Sequence, residues 1–315
     1  MKGDPMRRKR AAAGQTAIRS GRRDPVRIIR DAVSLVCVLT VLVLFLYSKF
    51  TSRDIPAYSA ENTLTVFFID VGQGDCELIL CGGHCVLVDA GEAEYGAKVV
   101  SVLRNLGVES LDCVVATHPH ADHIGGLIEV LEYFKVGELL TPRLTENNIP
   151  TTRVYERFLE AARQSGARTV PAVPGDEREY GEIRFTVLAP LADEAADLND
   201  MSAVLRLRYG GVSFLFTADA GKEAEDAMLD AGCELSADVL KVPHHGSKAA
   251  NSERFLTAVS PRVAVVECGD GTEYHPHRDT MSRLTALGAE VYRTDMDGTV
   301  AVTTDGVNIS VNKEK

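Results

Sequence analysis

Two regimes of hydrophobic pattern divide the chain. From Ala32 to Tyr47, sixteen residues run without a single charged side chain. As a helix they would reach about 24 Å, short of a hydrocarbon core of about 30 Å, a gap that Arg30 and Lys49 can close by extending their stems to the interface. No small-x-small cleavage site follows Tyr47, and basic residues dominate the upstream side. The pattern therefore predicts an uncleaved transmembrane signal anchor over 31–50, with the tail over 1–30 in the cytoplasm and the body outside. Residues 51–63 are polar and read as a linker.

From Leu64 onward, short apolar runs alternate with stretches that are apolar at helical spacing. Strands are predicted at 64–69, 77–80, 86–88 and 111–116, with turn chemistry at Gly82-Gly83. Helical spacing marks 95–106, 124–134 and 151–165, with Gly107 and Gly166 at the stops. The second half repeats the mixture. Strands are expected near 183–188, 203–208, 213–217, 238–242, 262–267 and 289–293, helices near 221–231, 252–259 and 279–287, and a β pair over 299–312. Two β-rich halves with interspersed helices predict an α/β fold of two sheets packed face to face, helices outside, in one domain over 64–315.

Charge sharpens the division. The formal net charge of −11 conceals ten Lys or Arg against two Asp in residues 1–30, about +8, which leaves the remainder at about −19. A body so acidic is poor at collecting a polyanion by itself, because affinity for DNA comes largely from Lys and Arg at phosphates. Arg143, Arg153, Arg157 and Arg163 could line a basic groove, or mark a solvated helix face. None of the seven cysteines pairs at Cys-x-x-Cys spacing, which argues against a thiolate zinc site. Cys81 and Cys85 flank the Gly82-Gly83 turn, so either a cross-strand disulfide, which an exported domain permits, or two buried free thiols would fit.

Candidate chemistry concentrates in Thr117–Gly126, Thr-His-Pro-His-Ala-Asp-His-Ile-Gly-Gly. His118 and His120, two apart on a chain leaving a strand, point both imidazoles to one side, and Asp122 and His123 follow at a turn. Nitrogen and oxygen donors without thiolate suit zinc and leave manganese or iron open. Gly125 and Gly126 lack a β-carbon and let the following helix lie close to the sheet. Other candidates stand at predicted strand ends: Asp219 after Val212–Thr217, and His244-His245 after Asp238–Val242. His275 and His277 flank Pro276. Asp219 could instead cap the helix at 221–231.

The His-x-His-x-Asp-His block resembles the signature of the metallo-β-lactamase superfamily. Phe67–Asp75 (Phe-Phe-Ile-Asp-Val-Gly-Gln-Gly-Asp), Val88–Gly91, Asn199–Ser202, Asp219 and Lys241–Ser247 (Lys-Val-Pro-His-His-Gly-Ser) occur in the order seen in the exported hydrolase-like domain of ComEC/Rec2 competence proteins. The resemblance implies an αββα sandwich with a site at one edge between the sheets. It implies that His118 and His120 bind a first metal, that Asp122 and His123 bind a second, and that Asp219 bridges. One of His244 and His245, with His245 preferred, would complete the second, and Asp89 would orient a ligand histidine. Three positions depart from the pattern. Asn199 stands where the superfamily has a metal-binding His, Ala218 replaces a Gly before the bridging Asp, and Tyr274 replaces a Gly before His275-Pro276. No channel-like string of apolar segments is present.

The resemblance, joined to the anchor read from the apolar run, predicts a membrane-anchored, extracytoplasmic phosphodiesterase or nuclease that uses a hydroxide held between two divalent ions, zinc or manganese. Asp122 would orient the nucleophile, and His275 would protonate the leaving oxygen or hold a phosphate oxygen. The expected substrate is a phosphodiester such as single-stranded DNA. Alternatives are a hydrolase of a smaller ester or amide (a phosphocholine ester, lactone or β-lactam) and a non-catalytic binding module on the same fold.

Overall fold

The computed structural model describes residues 62–270 and 275–315, together with positions 34, 36, 38–40 and 42. The chain divides into Met1–Pro56 and Ala57–Lys315. In the first unit the described positions are helical. There Thr40 Oγ1 donates to the Val36 carbonyl at 2.9 Å, and Val36, Val38, Leu39 and Leu42 are exposed. No helix among the described residues is long and apolar enough to cross a membrane. The basic tail, most of the expected anchor, the linker through residue 61 and Tyr274 lie outside the described residues.

The second unit is a sandwich of two sheets. In spatial order the first holds β15 (Ile309–Lys313), β14 (Val300–Thr304), β1 (Leu64–Phe68), β2 (Glu77–Cys81), β3 (His84–Val88), β4 (Ser110–Val115), β5 (Lys135–Thr141) and β6 (Arg168–Pro171). The second holds β13 (Glu290–Arg293), β12 (Val263–Val266), β11 (Val239–Lys241), β10 (Val212–Phe216), β9 (Val204–Tyr209), β8 (Ile183–Ala189) and β7 (Glu177–Tyr180). Helices α1 (Gly96–Asn105), α2 (Ala121–Ile124), α3 (Leu127–Tyr133) and α4 (Arg153–Ser165) cover the outside of the first sheet. Helices α5 (Lys222–Asp230), α6 (Glu253–Val259) and α7 (Arg278–Ala286) cover the second. The αββα architecture expected from the sequence is what the described residues form.

Strand composition explains the layering. On β10, Phe214 and Phe216 point between the sheets beside Leu64, Val66 and Phe68 of β1, while Leu215 points to the helices. A strand buried on both faces reads as a continuous apolar run. The Gly82-Gly83 turn, with φ of +56° and +86°, joins β2 to β3 in the left-handed geometry that two-residue hairpins favour. Cys81 sits in the layer between the sheets, whereas Cys85 faces the helix side. Opposite faces cannot be bridged, and both thiols are free.

Three features differ from the sequence-based expectation. Strands β5, β6 and β7 were not anticipated, because their polar and apolar residues show no sustained run. The helix expected over 124–134 begins only at Leu127 as α3, and Ile124 instead closes a separate single turn, α2. The closing β pair joins the first sheet, with β14 antiparallel to β1 and Val302 opposite Val66.

Candidate metal centre

Strands β1, β3 and β4 of one sheet and β10, β11 and β12 of the other all run toward one edge, and the segments leaving them meet there. His118 and His120 leave β4, and Asp122 and His123 lie on the single turn α2. Backbone hydrogen bonds pin that turn from two neighbouring loops. Asp75 N donates to the Asp122 carbonyl at 3.3 Å and Ala90 N to the His123 carbonyl at 2.9 Å, and Gly126 N donates outward to the Gly91 carbonyl at 2.8 Å. The carbonyls that would have continued the helix are thereby taken, so α2 and α3 separate at Gly125-Gly126. A β-carbon on Gly126 would overlap the Ala90 carbonyl, which accounts for glycine at that close approach. Left-handed φ at the non-glycine residues Asp89 (+51°), Ala218 (+46°), His244 (+49°) and His245 (+51°) gathers backbone strain at the same edge.

Four side chains converge. Ligand-type atoms of Asp122, His123, Asp219 and His245 all lie within 4.8 Å of one another. His123 Nε2 is 3.4 Å from Asp219 Oδ1, and His245 Nε2 is 3.4 Å from Asp219 Oδ2 and 3.5 Å from Asp122 Oδ2. The opposite ring nitrogens are tied down. His123 Nδ1 sits 2.8 Å from Asp89 Oδ2, and His245 Nδ1 sits 2.9 Å from the Glu267 carbonyl. Asp89 is itself fixed by Thr117 N at 2.9 Å and Thr117 Oγ1 at 2.5 Å. Beside this group, His118 packs its ring 4.1 Å from that of His123, and its Nε2 lies 3.1 Å from His120 Nδ1.

The donor set fits divalent metal ions. His123 Nε2, His245 Nε2 and Asp219 Oδ1 are buried with no hydrogen-bond partner, an unfavourable state for polar atoms unless a ligand takes them. A partner on Nδ1 leaves the Nε2 lone pair directed into the site, which is how ligating histidines are held. Burial pushes His123 and His245 down, yet the facing carboxylates, Asp219 foremost, outweigh it and hold both well above the usual imidazole range. Burial likewise raises Asp219, but His245 and His123 hold it well below the usual carboxylate range. Burial, then the neighbouring His123, keeps His118 well below its ordinary value and so a neutral donor.

The remaining sequence candidates fall at graded distances. His244 lies outside the four-residue group, its Nε2 3.7 Å from Asp219 Oδ2, and its ring stacks 5.6 Å from that of His275. His277 caps α7, accepting from Asp279 N, and has a structural task. Asp219 does not cap α5; Asp200 Oδ1 does that work by accepting from Gly221 N and Ala224 N. Asn199 is buried at the edge of the site, and its Oδ1, like Ser202 Oγ, has no hydrogen-bond partner. A cavity of about 490 Å³ opens beside Asn199 and His244, bordered by Glu194, Asp197, Asp200 and Glu223 and, among the described residues, by no Lys or Arg. Arg143, Arg153, Arg157 and Arg163 are exposed, and Arg163 pairs with Glu160 at 2.7 Å, as on an ordinary solvated helix face.

The sequence reading assigned no role to Lys241, Glu77 or Glu267, all fully or almost fully buried near the site. A charged residue at the start, end or edge of an otherwise apolar strand was the available signal.

Comparison with known proteins agrees with this geometry. The family model described as the metallo-beta-lactamase superfamily matches residues 69–269. The chain belongs to that superfamily. Within it, the chain is ComEC/Rec2-like. It is 32% identical over 285 residues to ComE operon protein 3 of Bacillus subtilis (strain 168), covering 84% of this chain and 35% of that protein. It is 30% identical over 264 residues to competence protein ComA of Neisseria gonorrhoeae, covering 82% of this chain and 34% of that protein. The chain thus spans about a third of the length of these curated relatives. Among solved structures it resembles the metallo-beta-lactamase fold protein YhfI from Bacillus subtilis, with a TM-score of 0.52 at 15% identity over 78% of this chain and 100% of that one. That likeness concerns the fold, which in this superfamily typically serves metal-dependent hydrolases.

Proposed function

We propose that the chain is a metal-dependent phosphodiesterase. The observation that carries the reading is the convergence of three buried, unpartnered donor atoms, His123 Nε2, His245 Nε2 and Asp219 Oδ1, with Asp122 at the rim. In this reading His118 and His120 would hold one ion, Asp122, His123 and His245 would hold the other, and Asp219 would serve both. Nitrogen and oxygen donors suit zinc or manganese. When bound, two divalent ions supply Lewis acidity and a nucleophile drawn from water near neutral pH.

The chain's own side chains supply orientation. Asp122 keeps 27% of its side chain exposed while His123, Asp219 and His245 are buried, so it is the member of the group placed to steer an incoming oxygen. His275 is half-buried against His244 and His245, and burial, with those two imidazoles, lowers its pKa. A neutral imidazole is better suited to hold a phosphate oxygen through its N–H than to protonate the leaving oxygen.

A relative named as a competence protein favours a nucleic acid as the phosphodiester, and single-stranded DNA is the form we propose. The acidic body opposes it, and two divalent ions, about +4, would offset that only locally. The carboxylate-bordered cavity favours a second reading, a smaller ester with an uncharged or cationic leaving portion, such as a phosphocholine ester. The charge-free run at 32–47, basic tail upstream, and the exposed apolar Val36, Val38, Leu39 and Leu42 support a single membrane anchor with the hydrolase domain outside the cytoplasm.

The test uses the full chain in detergent with single-stranded DNA, bis-p-nitrophenyl phosphate and a chromogenic β-lactam. Metal-dependent cleavage of the first two, abolished by a chelator and by Asp122→Ala, is expected. Turnover of the β-lactam alone would overturn the proposal.

A further inference from the structure

Beneath the imidazoles of His123 and His245 lies a second charged cluster that the metal centre leaves unused. Asp75, Glu77 and Glu267 bring carboxylate oxygens within 4.8 Å of one another, with all three side chains buried. Such oxygen-rich spacing suits a cation. The buried Lys241 side chain enters the cluster at Asp75. Its ammonium pairs with Asp75 Oδ2, lies 3.8 Å from Asp219 Oδ1 and donates to the Ala218 carbonyl at 2.8 Å. Asp75 in turn faces the outer nitrogens of both histidines, with Oδ1 3.3 Å from His245 Nδ1 and Oδ2 3.7 Å from His123 Nδ1.

One ammonium thus acts by charge on three of the four converging residues, on Asp219 directly at 3.8 Å and on His123 and His245 through the Asp75 carboxylate beside their rings. We propose that Lys241 and Asp75 are a positioning pair for the ion at Asp122, His123, Asp219 and His245, with the Lys241 ammonium standing as a fixed internal cation where a third metal would otherwise bind. The proposal rests on the reading of those four residues as ligands.

The pair has little to offer the fold alone. Desolvation of two buried charges offsets most of their attraction, and apolar residues of similar volume would serve stability as well. Apolar residues could not restrain Asp219 by charge or set an anion beside two imidazoles whose Nδ1 atoms are already held by Asp89 and the Glu267 carbonyl. Backbone geometry adds to the case. Ala218, at φ +46°, turns its carbonyl to accept from both Lys241 Nζ and His244 N, the latter at 2.9 Å, so the residue before Asp219 is fixed from the same point.

The experiment strips the full chain of metal, then titrates Mn²⁺ or Zn²⁺ against a chromophoric chelator, with thermal melts to verify folding. Asp75→Asn keeps the side-chain shape, and the double variant Asp75→Asn/Lys241→Met removes both charges together, so neither strands an isolated buried ion without a neighbour. Wild type should bind two ions. Each variant should bind one of the two about 10- to 100-fold more weakly while keeping the other, the loss expected on removing a group that orients metal ligands. Turnover should return at saturating metal with KM unchanged. Folded variants that bind both ions as tightly as wild type would overturn the proposal, as would a third equivalent bound by wild type. A wild type that binds no ion would instead overturn the ligand reading beneath it.

Discussion

His244 and His245 are adjacent in sequence and differ in circumstance. His245 is buried with Nδ1 committed to the Glu267 carbonyl and Nε2 turned to Asp219, whereas His244 stacks on His275 at the cavity wall. His245→Ala should therefore lower metal occupancy and activity at least about a hundredfold, and His244→Ala should reduce turnover with metal content unchanged, as read by elemental analysis beside kinetics. Asp89→Asn should weaken metal binding about 10- to 100-fold, since it loosens the grip on His123 Nδ1, and chelator competition measures this. The metal-free protein should also respond to pH. His123 and His245 are held above their ordinary value against the effect of burial, so the stability they contribute is complete below about pH 6.5 and is lost as pH rises through the elevated values. Burial also holds Glu77 well up and Glu267 at about 8, and each adds a loss in the same direction that accrues as pH rises from the ordinary glutamate range to its raised value. The melting temperature of the metal-free protein should fall from about pH 6 to about pH 9. That of the metal-loaded protein should hold or rise, because ligands must shed protons to bind.

Among elements, the short turn α2 is held from outside its own length. Its four residues carry two of the converging side chains, yet its backbone is held by donors from the loops after β1 and β3 and not by a continuing helix. Gly126→Ala would drive a β-carbon into the Ala90 carbonyl and displace the turn. The expected cost is about 1–3 kcal/mol in denaturant unfolding, together with weaker metal binding. An exposed glycine such as Gly107, with open space around it, makes the contrast for packing, although its φ of +79° carries its own strain. The periodicity of Ile124–Phe134 announced a helix and could not announce its interruption, because the break arises from hydrogen bonds to residues some thirty to fifty positions earlier.

At the scale of the molecule, two sheets must stay in register for side chains from both to share one site. Phe214 and Phe216 of β10 fill the layer between the sheets against Phe68, whose ring lies 6.3 Å from that of Phe216. Phe214→Ala should cost about 3–5 kcal/mol, and the same denaturant titration should show metal binding and folding lost together. The sequence by itself determined the apolar strands, the turn at Gly82-Gly83, the layered α/β class and the histidine block, since each is written in neighbouring residues whose spacing matches a local period. Tertiary structure alone decided that the closing β pair lies against β1, that Cys81 and Cys85 face apart, that His245 joins the group while His244 does not, and that Lys241 reaches Asp75 from 166 positions away. Those outcomes depend on which strand packs beside which and on the face each residue is given, and no local period encodes a contact between distant segments.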